Sequence, residues 1–405
     1  MDGKVIIIGT GQAGIQAATS LRAEGFEGSI LMFSDEQDIP YQKPTLSKEF
    51  LLDVLPEERI ALKPGKFFSN KAIETVLGNA VTKIDTSAQT ISTASGDDYE
   101  YDHLIIATGA RNRILNLSGD AASEVTYLRT LEESKYIKSS FDNIKHLTII
   151  GGGFIGLEIA AAAVKKEIAV DVIELQPKLM SRVLPPVISD VFEAKHKNSG
   201  VKIHFETSVT SIHKKNGRKI VALSDSKNIE TDFIVAGIGV IPNDEIAKEA
   251  GIHCTNGIEV DEFNRTNIAN VYAIGDCAFH YNPFMDNKVR LESVQNAMDQ
   301  GMTVAANIMH KKEAYHKVPW FWTTQYDLKL QMAGNNQNFT HYYVRGKIED
   351  EKFSVFYFID EKLIGVDSIN KGADHMAARK LLQNDVSPTK EQVENEDFRL
   401  KDLLK

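Results

Sequence analysis

The stretch Thr148-Ile-Ile-Gly-Gly-Gly-Phe-Ile-Gly-Leu-Glu158 restricts this chain more than any other. The apolar run Leu147–Ile150 predicts a strand. It feeds Gly151-x-Gly153-x-x-Gly156, and the alanine-rich segment Leu157–Val164 then predicts a helix. A dinucleotide site needs this order. Gly151 permits a tight turn, Gly153 lets a pyrophosphate approach the backbone, and Gly156 lets the helix pack closely on its strand. The helix N-terminus offers N–H groups and the positive end of its dipole to the phosphates. A second predicted strand, Ala169–Ile173, ends at Glu174, where an acid can hold a ribose 2′-OH.

The same device stands at the start of the chain. Val5–Ile8 is a continuous apolar run, as in a strand buried on both faces of a parallel sheet. Gly9-Thr-Gly11-Gln-Ala-Gly14 follows, then a predicted helix over Ile15–Arg22 and a strand over Ser29–Phe33 that ends at Ser34-Asp35. Asp35 takes the position of the ribose acid. Two fingerprints imply two dinucleotides in an α/β protein, and hydride passes between such cofactors when one is NAD and the other FAD.

The connecting segments add candidates. Ile39–Lys48 carries two prolines and predicts an extended loop leading into a helix near Ser47–Leu52. Short strands are predicted at Ala80–Ile84 and Gln89–Ser92. Buried strands ending in small-residue turns follow at Tyr101–Gly109 and Asp232–Gly239. Lys195–His204 reads as sheet, and Lys214–Lys219 as a charged hairpin turn. Asn270–Asp276 is a short strand tipped by Gly275-Asp276. Asp276 can cap a turn or accept hydrogen bonds from a sugar-alcohol chain. A helix is predicted over Gln295–Met309. From Trp320 the chain becomes rich in aromatics. Phe353–Phe358 predicts a central strand, Leu363–Val366 its neighbour, and Asp374–Leu382 a closing helix.

Composition removes several classes. The 405 residues suffice for two or three domains, and a net charge of −10 argues against nucleic-acid binding, which needs a basic face. No apolar run approaches the roughly 18–20 residues that span a bilayer. A strand begins at Lys4, leaving no room for a secretory signal, so a cytoplasmic location is expected. The two cysteines, Cys254 and Cys277, form no Cys-x-x-Cys pair, so no dithiol relay is available, and no metal site is read.

Over nearly its full length the chain resembles the NADH-dependent ferredoxin reductases that serve oxygenases. Gly9–Gly14, Pro40–Lys48, Ala107–Arg111, Tyr127–Thr130, Gly151–Glu158, Gly275–Cys277, Arg290–Val294 and Trp320–Trp322 carry the resemblance. It implies two Rossmann-like domains of the glutathione-reductase type and a small C-terminal α+β domain. The FAD domain would take residues 1–111 and 241–319, the NAD domain 112–240, and the C-terminal domain 320–405. Gly9, Gly11, Ala13 and Gly14 would lie on the FAD pyrophosphate, Asp35 on the adenosine ribose and Val81 on the adenine side. Ala107, Thr108 and Gly109 would line the cleft, with Arg129 on the cofactor. Gly275 and Asp276 would face the ribityl chain, the Val294 N–H the pyrimidine edge, and Trp322 would cover the ring. Lys48 would sit beside the flavin, paired with Glu158, as the catalytic pair. Gly151, Gly153, Ile155, Gly156, Glu158, Glu174, Arg182 and Gly239 would hold NADH.

The resemblance also implies a partner: a [2Fe–2S] ferredoxin or rubredoxin-like carrier, feeding a monooxygenase or dioxygenase, with the reductase itself a monomer or weak dimer. A basic rim from Lys43, Arg290, Lys311, Lys312, Lys317 and Lys329 would receive it. Thr323-Thr324 replaces a usual Ser-Asp, and Phe279 a usual basic residue, both expected near the partner face. An NADH oxidase or quinone reductase, and a redox-sensing protein similar to apoptosis-inducing factor, remain as other readings of the same architecture.

Cofactor choice follows from charge. A carboxylate at Glu174 accepts from a free 2′-OH and repels a 2′-phosphate. We therefore expect kcat/KM to favour NADH over NADPH. Steady-state rates with both nucleotides test this, and an equal or reversed preference overturns it.

Overall fold

A computed structural model of the chain describes residues 3–405. The first two residues of the expected 1–111 segment lie outside the described residues. The chain divides into two compact units. One holds residues up to Gln42, then Glu58–Arg111 and Ile241–Phe321. The other holds Lys43–Glu57, Asn112–Val240 and Trp322–Lys405.

In the first unit, five parallel strands lie in the order Val271–Ala273, His103–Ile106, Lys4–Ile8, Ser29–Phe33, Ile73–Val76. The run Val5–Ile8 is apolar throughout because both sheet faces are covered. Val5 and Ile7 join a cluster with Ala17, Ala18, Leu21, Val304 and Ala305 of the helices Gln12–Ala23 and Val294–Ile308. Ile6 and Ile8 point the other way, into a cluster with Ile84 and Ile91 of an antiparallel meander over Val81–Asp85, Thr90–Thr93 and Asp98–Glu100. The two helices cross closely. A Cβ on Gly301 would lie 2.9 Å from the Ala17 nitrogen, so only glycine fits the crossing.

In the second unit, a parallel sheet runs Lys202–His204, Ala169–Ile173, His146–Ile150, Phe233–Ala236, Thr126–Tyr127. One face packs Ile150, Ile173, Ile234 and Ala236 against a meander of Val209–Lys215, Arg218–Leu223 and Asn228–Thr231. Helix Leu131–Phe141 starts with a capping box: Thr130 Oγ1 accepts from the Glu133 N–H, and the Glu133 carboxylate accepts from the Thr130 N–H. One turn in, Ser134 Oγ donates to the Leu46 carbonyl at 2.7 Å. Asp53 is held by Lys138 and Lys166, and Leu46, Phe50 and Leu51 are buried. The Lys43–Glu57 segment, read with the first domain in sequence, is thus fastened within the second unit.

The C-terminal part forms a five-stranded sheet, ordered Trp320–Gln325, Leu328–Gly334, Lys362–Ile369, Lys352–Ile359, His341–Lys347. The helix Gly372–Gln383 buries His375, Ala378, Leu381 and Leu382. Lys352–Ile359 is buried on both faces but lies one strand in from the edge, and Lys362–Ile369 is the middle strand. Arg345, almost wholly buried, donates to the carbonyls of Val393, Asn395, Glu396 and Phe398 and so fastens the chain end.

Two sequence expectations fail. Residues 195–198 are not sheet. They close a helix, Pro186–Asn198, that buries Ile188, Ser189, Phe192 and His196, with Pro186 in the first turn where its missing N–H costs nothing. Ser47–Leu52 is not a regular helix. A 3-10 turn at Lys43–Thr45 leads into irregular turns, with Lys48 and Phe50 N–H groups both donating to the Thr45 carbonyl.

Asp367 lies fully buried in the C-terminal core, with one oxygen accepting from Asn336 Nδ2 (3.0 Å) and Tyr357 Oη (2.9 Å). Burial pushes its carboxyl up to about 7. The folded state then holds a proton that the unfolded state has released above the usual carboxylate range, so this group lowers stability as pH rises from about 4 to 7. For Asp367→Asn minus wild type, we expect unfolding free energy to increase by up to about 4 kcal/mol between pH 4 and 8. Urea titrations across that range test this, and a pH-independent difference overturns it.

Candidate functional site

Each fingerprint forms an open cradle. In the first, Gly9 has φ +116°, and a Cβ there would lie 2.1 Å from the Ala107 carbonyl oxygen. A Cβ on Gly14 would lie 2.1 Å from the Gly9 oxygen. Both glycines are required by backbone contact. Gly11 is different: nothing lies within 4 Å of its missing Cβ, and it is the N-cap of Gln12–Ala23 with no side-chain cap. Open space meets uncapped N–H groups at the positive end of a helix, which fits a phosphate pair. Gly275, also at positive φ, brings the Gly-Asp tip against this loop; its Cβ would lie 2.9 Å from that of Ala13.

Other predicted residues converge within the first unit. Asp35 is exposed at the end of Ser29–Phe33, while Glu36 beside it accepts from Tyr41 at 2.5 Å. Val81 opens its strand, half-buried. Thr108 and Gly109 are tied to Asn243: Thr108 Oγ1 donates to its carbonyl at 2.6 Å, and its N–H donates to the Gly109 carbonyl. Val294 begins its helix behind Ser293, whose Oγ accepts from the Asn296 N–H. Two residues missed in sequence stand behind this corner. Buried Gln300 accepts the Gly275 N–H at 2.7 Å and an Asn296 Nδ2 bond at 3.3 Å, and Asn296 in turn accepts from Tyr315. Their i, i+4 spacing was readable on the helix. Their task was not.

The second unit repeats the cradle. Gly151 has φ +106°, and its Cβ would meet the Gly237 oxygen at 2.5 Å; that of Gly156 would meet the Gly151 oxygen at 2.4 Å. Gly153 caps Phe154–Lys165 without a side-chain bond, and the nearest atom to its missing Cβ is 3.8 Å away. Glu174 turns into this loop, accepting from the Gly152 N–H at 2.7 Å and the Gln176 N–H at 2.8 Å. Arg182 is exposed near Gly239, and Ile155 is 42% exposed on the first turn. Lys178, a possible attraction for a 2′-phosphate, is engaged by Asp190.

Lys48 and Glu158 meet in the second unit. Lys48 Nζ lies 2.7 Å from Glu158 Oε2, with side chains only 13% and 2% exposed. The carboxylate also accepts from Ser47 Oγ at 2.5 Å and from Thr323 Oγ1 at 2.6 Å. Arg129 and Trp322 belong to the same unit. The Arg129 N–H is held by Glu133 and its carbonyl accepts from Lys43.

Two readings of the partner face need correction. Arg290 is no rim cation: its side chain is 9% exposed, bonded to the Asp276 carbonyl and to Glu292. Thr323 is fully buried with its hydroxyl bonded to Glu158, so its side chain is not itself part of a docking face. The cysteines are unpaired, Cys277 buried and Cys254 partly so, with burial pushing Cys254 up to about 11. No dithiol chemistry is available. Among the described residues no cluster suits a metal ion, and no helix is long and apolar enough to cross a membrane.

Two such cradles, a buried lysine–carboxylate pair and no thiol pair define an oxidoreductase built on two dinucleotides. A model of the pyridine nucleotide-disulphide oxidoreductase family matches residues 3–301, and a reductase C-terminal model matches 320–404. Rhodocoxin reductase of Rhodococcus erythropolis is 44% identical, covering 98% of this chain and 93% of its own. Putidaredoxin reductase of Pseudomonas putida is 33% identical, covering 99% and 96%. Among solved structures, the ferredoxin reductase for the CYP199A2 system from Rhodopseudomonas palustris has a TM-score of 0.95 at 41% identity, covering 98% and 99%. The covalent putidaredoxin reductase–putidaredoxin complex gives 0.95 at 32%, covering 99% and 98%. The chain belongs to the pyridine nucleotide-disulphide oxidoreductase family and is an enzyme using FAD and a nicotinamide dinucleotide.

The cradles make contrasting variants informative. Gly14→Ala forces a methyl onto backbone and should abolish accumulation of folded yellow protein. Gly11→Ala meets no protein atom and should keep the wild-type melting temperature of flavin-free protein, while FAD affinity falls at least about tenfold. Flavin-to-protein absorbance and thermal melts check both. Equal FAD affinity in Gly11→Ala would reject this cradle.

Proposed function

We propose that this protein passes electrons from NADH through FAD to a ferredoxin-type [2Fe–2S] carrier that serves an oxygenase. The observation that carries the reading is the Lys48–Glu158 pair, buried in a chain with two open cradles and no cysteine pair. Relatives named for rhodocoxin, putidaredoxin, rubredoxin and a dioxygenase system support the carrier class.

Bound FAD supplies the chemistry that joins a two-electron donor to a one-electron acceptor. The protein's part is positional and electrostatic. Gly9, Gly11, Ala13 and Gly14 receive the FAD pyrophosphate at the uncapped helix end. Asp35 takes the ribose, Val81 the adenine side, and Ala107, Thr108 and Gly109 the cleft wall. Gly275 and Asp276, braced by Gln300, face the ribityl chain, and the Val294 N–H faces the pyrimidine edge. Arg129 and Trp322 complete the FAD set. Gly151, Gly153, Ile155, Gly156, Arg182 and Gly239 receive NADH, and Glu174 accepts from its ribose hydroxyls. Lys48 would offer the bound flavin a fixed positive charge, and Glu158 would fix its position. No side chain need act as a general acid or base in hydride transfer.

Anaerobic stopped-flow mixing tests this reading. NADH should bleach the flavin in a single fast phase, and cytochrome c should be reduced rapidly only when a [2Fe–2S] ferredoxin is added. Lys48→Ala should retain FAD but slow bleaching by roughly tenfold or more. A wild-type rate in this variant rejects the role of Lys48. Efficient quinone reduction with no response to any ferredoxin rejects the carrier assignment.

A further inference from the structure

Glu158 is 3% exposed, and a carboxylate so deeply buried must be paired on both oxygens. Oε2 takes Lys48 and Ser47. Oε1 takes the hydroxyl of Thr323, at 2.6 Å. That hydroxyl ends a directed chain. Because a carboxylate only accepts, Thr323 must donate to it, and its oxygen then accepts from Gln325 Nε2 at 3.3 Å. Gln325 Oε1 accepts from His196 Nε2 at 2.8 Å, and His196 Nδ1 accepts from Tyr326 Oη at 3.2 Å. Burial lowers His196 to about 4, so the ring is neutral and can donate at one nitrogen while accepting at the other. Every donor in the chain points toward Glu158. Thr323 and Gln325 alternate with Trp322 along the strand Trp320–Gln325, so their shared face is the buried one. The chain holds geometry and does not carry protons, since the Gln325 amide keeps both its protons at ordinary pH.

We propose that Thr323 is a positioning residue: the C-terminal domain, through this hydroxyl, fixes the Glu158 carboxylate and thereby the place of the Lys48 ammonium. The inference rests on the reading of Lys48 given above. It explains why threonine can stand where serine is usual, because either supplies the hydroxyl. Without it, Glu158 is held from one oxygen only and rotates, and Lys48 loses its fixed partner.

The test uses the flavin-loaded protein as isolated, with Thr323→Val, Thr323→Ser and Lys48→Met singly and Thr323→Val combined with Lys48→Met. Thr323→Ala serves in place of valine if the latter does not accumulate. Two readouts apply. Acetic anhydride labelling of Lys48, read by peptide mass spectrometry, should rise several-fold in Thr323→Val and stay at the wild-type level in Thr323→Ser. The limiting rate of flavin reduction by NADH should fall about fivefold to twentyfold in Thr323→Val with the NADH dissociation constant unchanged, and recover in Thr323→Ser. In the Lys48→Met background the valine substitution should have no further effect. Wild-type labelling and rate in Thr323→Val overturn the inference. So does an effect that persists undiminished in the Lys48→Met background. A wild-type rate in Lys48→Met, with labelling of Lys48 still raised in Thr323→Val, instead rejects the reading of Lys48 and leaves the hydroxyl's structural role standing.

Discussion

A single buried carboxylate, Glu158, dictates much of the second unit. Removing an isolated carboxylate from water costs several kcal/mol, and the charge is tolerated only where donors fill both oxygens. Three donors from two segments far apart in sequence supply them: Ser47 and Lys48 from a loop of turns, and Thr323 from the first strand of the C-terminal sheet. That need accounts for the irregular path of Lys43–Glu57. A regular helix there would point the Ser47 and Lys48 side chains about 100° apart around its axis, less directly at one oxygen. The segment instead makes successive turns, anchored by Asp53 on Lys138 and Lys166 and by the Leu46 carbonyl on Ser134.

What could be read in advance was whatever the chemistry makes local. The first and last glycines of both fingerprints are forced by backbone contacts within the strand–turn–helix or with one neighbouring strand, so the spacing was legible in the sequence. The apolar run Val5–Ile8 announced a two-sided burial that the helix cluster and the meander cluster supply. Lys48 was visible only through the family resemblance, since a lone lysine carries no local mark of burial. Thr323 was read only as a residue near the partner face, and its bond to Glu158 could not be found because that partner lies 165 residues away. Arg290 was misjudged because its burial, and its bond to the Asp276 carbonyl beside the ion pair with nearby Glu292, leave no local mark in the sequence. Pro186–Asn198 was a different failure. Ile188, Phe192 and His196 stand four apart and mark a buried helical face, but its end was read as sheet.

The family takes its name from disulphide chemistry, yet here both thiols are inert. Cys277 is wholly buried, and Cys254 is held protonated by burial and by nearby Asp244. The chain has a buried lysine–carboxylate pair and no thiol pair. A lysine anchored on a carboxylate offers a field that does not change during turnover, whereas a dithiol would store electrons in pairs.

The early Lys43–Glu57 segment belongs to a body completed by much later residues, the last of them in the C-terminal sheet. During synthesis it emerges before the helix, the carboxylate and the strand it must meet, with Leu46, Phe50 and Leu51 still uncovered. The nascent chain therefore carries an apolar stretch whose anchors, Ser134, Lys138 and Lys166, follow far later in the chain. For the same reason residues 112–240 cannot be excised as an intact module: the cut would strip away the piece that covers one side of Leu131–Phe141.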